Sequence, residues 1–279
     1  MAVNYLLIGH PLGHSMSPFI HKRLFKASGI SEDYILKDIA PENLENSFEE
    51  LAKLKGFNIT IPHKMGIIPF CDKLDDSAKR YNSVNCVSIK YGVKTGYNTD
   101  CDGFLMSVKD EYPLDGNVLL VGCGGVGRMI GIEAARHGAS LTIAYIPQDA
   151  ELVKKAVEEI SKFTKKEIKT VLTTEISGKF DMMINATPVG MYPKTDACPV
   201  SDEVIENCKT FFDVIYNPTD TKLIKTAKSQ GKLAKGGAFM LVLQAVRAHE
   251  IWYGAKFSKE TINSIVKDMQ DYVDNNFSK

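Results

Sequence analysis

The sequence predicts an α/β protein in two parts, an N-terminal α/β domain followed by a doubly wound parallel sheet. Three observations predict it. Apolar strand-like runs alternate with helix-like stretches from residue 5 onward; a G-x-G-x-x-G lies between an all-apolar run at 118–121 and a helical stretch; and two further helical stretches follow Gly236-Gly237 near the end of the chain.

Residues 5–9 form a short apolar run that enters a Pro/Gly/Ser turn, and 18–27 has helical spacing with Gly29 as a stop. Residues 34–39 alternate in polarity, Pro41 and Glu42 open a helix that runs to about residue 54, and Gly56 ends it before a strand at 57–61. A loop bounded by Pro62 leads to a helical stretch at 75–81. Strands at 84–89 and 94–97 then turn at Tyr91-Gly92. The run 118–121 is apolar throughout, as a central parallel strand covered on both faces requires. After it the spacing predicts a glycine turn, a helix to His137 with Gly138 at its C-terminal cap, a strand at 141–145, a helix at 151–163, and strands at 169–172 and 181–184. A helix at 201–207 and a strand at 211–215 complete this part, a Rossmann order of elements. The helical stretches at 239–252 and 258–272 are expected to return to the first domain, which gives one domain from 1–101 plus 238–279 and a second from 102–237.

The chain has 279 residues with 34 basic and 34 acidic side chains, so the formal net charge is zero and no basic footprint for nucleic acid is expected. Its 44% hydrophobic and 24% charged residues suit an ordinary globular protein. No apolar run approaches the roughly 18 to 20 residues of a membrane span, and the first residues lack a basic leader, so a cytoplasmic protein is expected. Cys71, Cys86, Cys101, Cys123, Cys198 and Cys208 form no C-x-x-C pair and read as reduced thiols. His10 and His14 are four apart, but Pro11 and Gly13 between them break the helical face that would present both to a metal, so no metal site is expected.

The turn Gly122-Cys123-Gly124-Gly125-Val126-Gly127 follows a strand and opens a helix. In that setting glycines allow a tight turn and close backbone approach, and the free N–H groups of the helix start accept a pyrophosphate. An acid for a ribose 2′-hydroxyl, or an arginine for a 2′-phosphate, is expected at the end of the next strand; the chain there reads Tyr145-Ile146-Pro147-Gln148-Asp149, with Lys154 and Lys155 farther on. In the first domain, the segment 56–64 brings Lys64 to one strand end and the segment 96–100 brings Asp100 to another. Such a pair can move a proton, the lysine as acid and the aspartate orienting it, although spacing alone favours an ordinary surface ion pair.

These motifs together resemble the shikimate dehydrogenase family over nearly the whole chain. Gly13-His14-Ser15-Met16-Ser17-Pro18 is similar to its H-S-x-S-P loop, 58–64 to its N-x-T-x-P-x-K, Val84-Asn85 and Asn98-Thr99-Asp100 to its V-N and N-T-D elements, and 185–191 and 237–244 to its later signatures. The resemblance implies NADP-dependent, reversible reduction of 3-dehydroshikimate to shikimate. It implies that Ser15 and Ser17, with Tyr216, bind the substrate carboxylate; that Thr60, Asn85 and Gln244 bond the ring hydroxyls; and that Lys64 and Asp100 are the catalytic pair. Gly122, Cys123, Gly124, Gly125, Val126, Asp76, Val214 and Gly237 are the positions it assigns to the cofactor, and a monomer or homodimer is the quaternary state it implies. Two positions depart from the pattern. Tyr145-Ile146-Pro147 stands where the NADP-using members have Asn-Arg-Thr, and Gly127 precedes Arg128 where Ser or Ala is common.

An NAD-linked quinate/shikimate dehydrogenase is therefore the enzymatic alternative, with the serines at 15 and 17 favouring shikimate. A non-catalytic metabolite sensor is the alternative from another class, and it gives no reason for both Lys64 and Asp100 to be present. Trp252 and Phe239 are expected to pack with the final helices, Cys101 to be a packed thiol, and His63 to be a solvent-facing loop residue.

Overall fold

The computed structural model describes residues 4–13, 15–109 and 111–277; His14, named above in the serine loop, lies outside them. The first part runs β1 (Tyr5–Gly9), α1 (Ser17–Ala27), β2 (Tyr34–Asp38), α2 (Leu44–Leu51), β3 (Gly56–Ile59), α3 (His63–Gly66), β4 (Lys73–Leu74), α4 (Asp76–Tyr81), β5 (Cys86–Lys90), β6 (Val93–Tyr97) and α5 (Thr99–Val108). Its sheet has the order β2-β1-β3-β5-β6-β4, with β1 parallel to β2 and β3, and with β5 antiparallel to β3 and β6. Strand β1 is buried on both faces because alternate side chains enter two cores. Leu6 and Ile8 pack with Ile39, Leu44, Leu51, Phe57 and Ile59, whereas Tyr5 and Leu7 pack with Phe25, Tyr34 and Trp252. The β5–β6 hairpin turns through Tyr91 and Gly92 at φ +53° and +77°, the left-handed pair that matches the twist of the flanking strands.

The second part runs β7 (Asn117–Val121), α6 (Gly125–Arg136), β8 (Ser140–Tyr145), α7 (Ala150–Ile160), β9 (Lys169–Leu172), β10 (Phe180–Asn185), α8 (Asp202–Glu206), β11 (Cys208–Asp213), α9 (Lys222–Ser229) and β12 (Leu233–Lys235), followed by α10 (Ala238–Tyr253) and α11 (Lys259–Phe277). The sheet order β12-β11-β10-β7-β8-β9 is parallel throughout, and the chain reverses its direction of travel across the sheet between β7 and β10. That reversal is the topological switch point of a Rossmann sheet, with the crevice beyond the strand C-termini that holds dinucleotides in such folds. The Val118–Val121 side chains are at most 1% exposed, as the continuous apolar run requires.

Chain contacts group the described residues up to Gly103 with Leu241–Met269, and Phe104–Met240 with the described residues from Gln270 onward. The chain thus returns to the first unit at Leu241 within α10, and the end of α11 groups with the second unit, where Phe277 meets the ring of Tyr192 at 5.6 Å.

Several local readings change. The helix expected at 41–54 opens with a 3-10 turn, and its α-helical part is only Leu44–Leu51. Lys64 and Asp100 are not on strand ends: Lys64 lies on the four-residue α3, and Asp100 in the first turn of α5. His63 does not face solvent. It is 2% exposed and its Nε2 bonds the Ile39 carbonyl, on the segment after β2, at 2.6 Å. Helices α5 and α9 and the short edge strands β4 and β12 were not anticipated. For α9 the signal was present in Thr221, whose hydroxyl accepts the Ile224 N–H as an N-cap, and in Leu223, Ile224 and Ala227, which are fully buried.

Candidate active site

The first unit joins Lys64 and Asp100 directly. The Lys64 ammonium donates to Asp100 Oδ2 at 2.6 Å, and both side chains are largely buried. Three further residues fix this geometry. The Lys64 carbonyl accepts the Val84 N–H at 2.8 Å, which ties α3 to the segment before β5. Asn85 Nδ2 donates to Asp100 Oδ1 at 2.8 Å and to Thr99 Oγ1 at 3.0 Å, and Asn85 Oδ1 accepts the Thr99 N–H at 2.7 Å. Asn98 Oδ1 accepts the Asp100 N–H at 3.2 Å while its amide donates to the Ser83 carbonyl at 3.1 Å. Both carboxylate oxygens of Asp100 are thus engaged, one by a cation and one by a buried amide, which holds the lysine at a single point rather than free on its four-carbon stem.

Gln244, on α10, belongs to the same network: its Oε1 lies 3.4 Å from Thr99 Oγ1, and its amide donates to the Leu241 carbonyl at 2.9 Å. In the sequence Thr99 is only part of a motif; the structure makes it the link between Asn85 and Gln244, a contact across 145 residues that spacing does not reveal. Thr60 follows β3, its N–H bonded to the Ile8 carbonyl at 2.9 Å and its methyl filling the space beside Gly9. Ser15 and Ser17 lie at the start of α1, the Ser17 N–H donating to Ser15 Oγ at 3.2 Å, so the loop presents both hydroxyl-bearing residues at one helix N-terminus. Asp76 begins α4 and is largely exposed, 3.5 Å from the Lys79 ammonium.

The second unit carries the glycine turn. Gly122 has φ +84°, and a Cβ there would lie 2.5 Å from Thr187 Cγ2. At Gly127 a Cβ would lie 2.4 Å from the Gly122 carbonyl oxygen, so the first and last glycines are required by the fold itself. Gly124 and Gly125 differ. A Cβ at either meets nothing within 4 Å, and both are exposed at the start of α6. No protein atom excludes a side chain there, so the space their missing side chains leave is a cradle at a helix N-terminus, and it fits a pyrophosphate. Cys123 is buried, which pushes its thiol up to about 12, and Val126 is half-buried in the first turn of α6.

At the neighbouring strand ends, Asp213 is fully buried and accepts from the Ile215 N–H at 3.0 Å, Asn185 Nδ2 at 3.1 Å and Thr221 Oγ1 at 2.8 Å; burial outweighs these bonds and raises its pKa to about 6. This carboxyl fastens the loop that carries Val214 and Tyr216. The Val214 N–H bonds the Asn185 carbonyl at 3.0 Å, and burial raises the Tyr216 phenol. Gly237 closes the loop, its N–H bonded to the Ile215 carbonyl at 2.8 Å with a would-be Cβ only 2.2 Å from the Val214 oxygen. Beyond β8, residues 145–149 hold no cation; Arg128 is paired with Glu159, and Lys154 and Lys155 are exposed on α7. Among the described residues no group of three or more His, Cys, Asp or Glu side chains is arranged to hold a metal, and no helix is long and apolar enough to cross a membrane.

Comparison with known proteins agrees with this architecture. The family profile described as the shikimate dehydrogenase substrate binding domain matches residues 7–87. A shikimate dehydrogenase (NADP(+)) of Methanocaldococcus jannaschii is 36% identical over 269 residues, covering 94% of this chain and 95% of its own. A crystal structure of a shikimate dehydrogenase in complex with NADP+ superposes with a TM-score of 0.86 at 33% identity, covering 95% of each chain. A shikimate 5-dehydrogenase from Thermus thermophilus in complex with NADP(H) and shikimate gives a TM-score of 0.83 at 26% identity, over 96% of this chain and 100% of that one. With more than nine-tenths of its length matched at 36% identity, and with a buried Lys–Asp pair in one unit and a Rossmann glycine cradle in the other, the chain belongs to the shikimate dehydrogenase family.

Proposed function

We propose that this protein is an NADP-linked shikimate dehydrogenase that interconverts shikimate and 3-dehydroshikimate. The observation that carries the reading is the Lys64–Asp100 pair, 2.6 Å apart and held on three sides, in a chain whose relatives catalyse that reaction. A dinucleotide held at the turn of Gly124 and Gly125 would supply or accept the hydride at the ring carbon that bears the oxygen. Everything else falls to this chain's side chains.

In the direction of reduction, Lys64 Nζ donates a proton to the carbonyl oxygen as that oxygen gains charge, and solvent returns the proton to the lysine. Asp100 accepts hydrogen bonds from Lys64 Nζ and from the substrate hydroxyl and so keeps both aimed, and in the reverse direction Lys64 Nζ, having given up its proton, takes the hydroxyl proton of bound shikimate. Ser15 and Ser17 are assigned to the substrate carboxylate, and their position at the N-terminus of α1 supports this through the positive end of the helix dipole. Thr60, Asn85 and Gln244 are assigned to the ring hydroxyls. A site of hydroxyls and amides discriminates against substrates that lack a hydroxyl, because its own buried polar groups are then left unpaired. Gly124 and Gly125 are assigned to the pyrophosphate, Gly122, Cys123 and Val126 to the remainder of that turn, and Asp76, Val214 and Gly237 to the nicotinamide side.

One observation favours a second reading: residues 145–149 hold no cation and end in Asp149, which suits a ribose 2′-hydroxyl and thus NAD. Initial rates of shikimate and quinate oxidation with NADP and with NAD decide between the two. Fastest turnover of shikimate with NADP supports the proposal; preference for NAD moves the protein to the quinate/shikimate subclass; no turnover in any combination refutes both.

A further inference from the structure

The catalytic pair is fixed through Asn85, and Asn85 is itself fixed from behind. Its carbonyl accepts two donors, the Ile59 N–H at 2.9 Å and Asn58 Nδ2 at 3.1 Å. Asn58 is 4% exposed, and its remaining polar atom, Oδ1, accepts the Tyr34 hydroxyl at 2.8 Å. A continuous line of hydrogen bonds therefore runs from Tyr34 through Asn58 and Asn85 to Asp100 and Lys64. The Asn85 carbonyl sets which way the Asn58 amide faces, since with the amide reversed Asn58 Oδ1 would meet it acceptor against acceptor, and the Tyr34 hydroxyl then anchors Oδ1 from the other side.

Tyr34 is held as firmly as the residues it serves. Its ring stacks on His21 with centroids 3.9 Å apart and planes 4° from parallel, and His21 Nδ1 lies 2.8 Å from His249 Nε2. Burial keeps both imidazoles well below their usual pKa, His249 at about 3, so at neutral pH they form an uncharged backing against which the phenol is clamped. Neither Tyr34 nor the histidines lie in the Lys64–Asp100 pair, and a core that needed only bulk would be served by phenylalanine at 34.

We infer that Tyr34 is a positioning residue for the reaction: its buried hydroxyl anchors the Asn58 amide, which holds Asn85 where its side chain fixes Asp100 against Lys64. The inference rests on the dehydrogenase reading for its kinetic test and on the geometry alone for its second test.

Removing this hydroxyl leaves the ring stack in place, so Tyr34→Phe is expected to fold. It should lower kcat for shikimate oxidation about fivefold, as a loosened Asp100 costs alignment, with KM for cofactor changed less than about twofold. In an Asn58→Ala background the hydroxyl has no partner, and the same substitution should change kcat by less than about twofold. Tyr5→Phe removes a hydroxyl from the same aromatic cluster, where Tyr5 packs on Trp252 at 4.6 Å, and should leave kcat unchanged. A kcat for Tyr34→Phe equal to that of the parent, or an equal loss in the Asn58→Ala background, overturns the inference. Hydrogen exchange of the unliganded protein provides the test that needs no turnover: protection at 83–85 and 99–100 should fall in Tyr34→Phe and not in Tyr5→Phe, and unchanged protection there overturns the inference even if the protein proves to act on another substrate.

Discussion

Gly125→Ala separates what the fold needs from what the cofactor needs, because the two respond with opposite sign. Gly125 is the first residue of α6, its φ lies outside the left-handed region, and an added Cβ meets no protein atom within 4 Å. Alanine at a compatible helical position gains up to about 1 kcal/mol over glycine, chiefly by restricting the unfolded chain, and for a chain of this size that raises Tm by roughly 2–4 °C. The same methyl occupies the cradle. A pyrophosphate oxygen bonded to a backbone N–H at about 2.9 Å comes into van der Waals conflict with it, and loss of one charge-assisted hydrogen bond, about 1.5–3 kcal/mol, weakens binding roughly tenfold to a hundredfold. Thermal unfolding of the unliganded variant and the KM for NADP measure the two effects independently, with kcat expected to stay close to that of the parent. A KM within about twofold of the parent, with a raised Tm, would show that nothing approaches this turn closely and would remove Gly124 and Gly125 from the cofactor assignment.

Other perturbations follow from the same structure. Gly237→Ala puts a Cβ 2.2 Å from the Val214 oxygen, a clash with backbone that cannot swing aside, and should cost about 1–3 kcal/mol in urea unfolding. Lys64→Met should reduce kcat by at least about a hundredfold while shikimate affinity, measured by calorimetry, stays within about tenfold; retained turnover removes the lysine from the mechanism. Asp213 has a folded pKa of about 6 against an ordinary value of 3.8, so the folded state holds the extra proton between these values. Its contribution is present below about pH 4 and lost as pH rises through 6, roughly 3 kcal/mol in all. Asp213→Asn should therefore gain stability relative to the parent between pH 5 and 8, and parallel stability–pH curves would contradict this. His249, held at about 3 by burial, acts in the opposite sense: its contribution is present above pH 6.5 and is lost as pH falls, about 2 kcal/mol by pH 5. The parent should lose that much more than His249→Phe between pH 7.5 and 5.

Periodicity and turn chemistry determined most of the elements on their own. The apolar run at 118–121, the glycine turn after it and the parallel order of β7, β8 and β9 follow from local pattern, because a strand buried on both faces admits no polar residue and a turn against a helix N-terminus admits no Cβ at Gly122 or Gly127. The residues of the candidate site were likewise legible as residues, through ordered motifs. Their connections were not. Lys64 and Asp100 are 36 positions apart, and on spacing alone they read as a surface ion pair; their enclosure depends on Val84 and Asn85 arriving between them, and on Gln244 returning from α10. The neighbours of His63 in sequence are loop residues and point to solvent, yet it is buried, with Ile39, on another segment, offering it a carbonyl. Tyr34 looked like any alternating strand residue. Local sequence sets backbone conformation and which face is apolar, since those depend on near neighbours; the partner of a buried polar atom is set by whichever distant segment packs over it, and only the tertiary structure decides that.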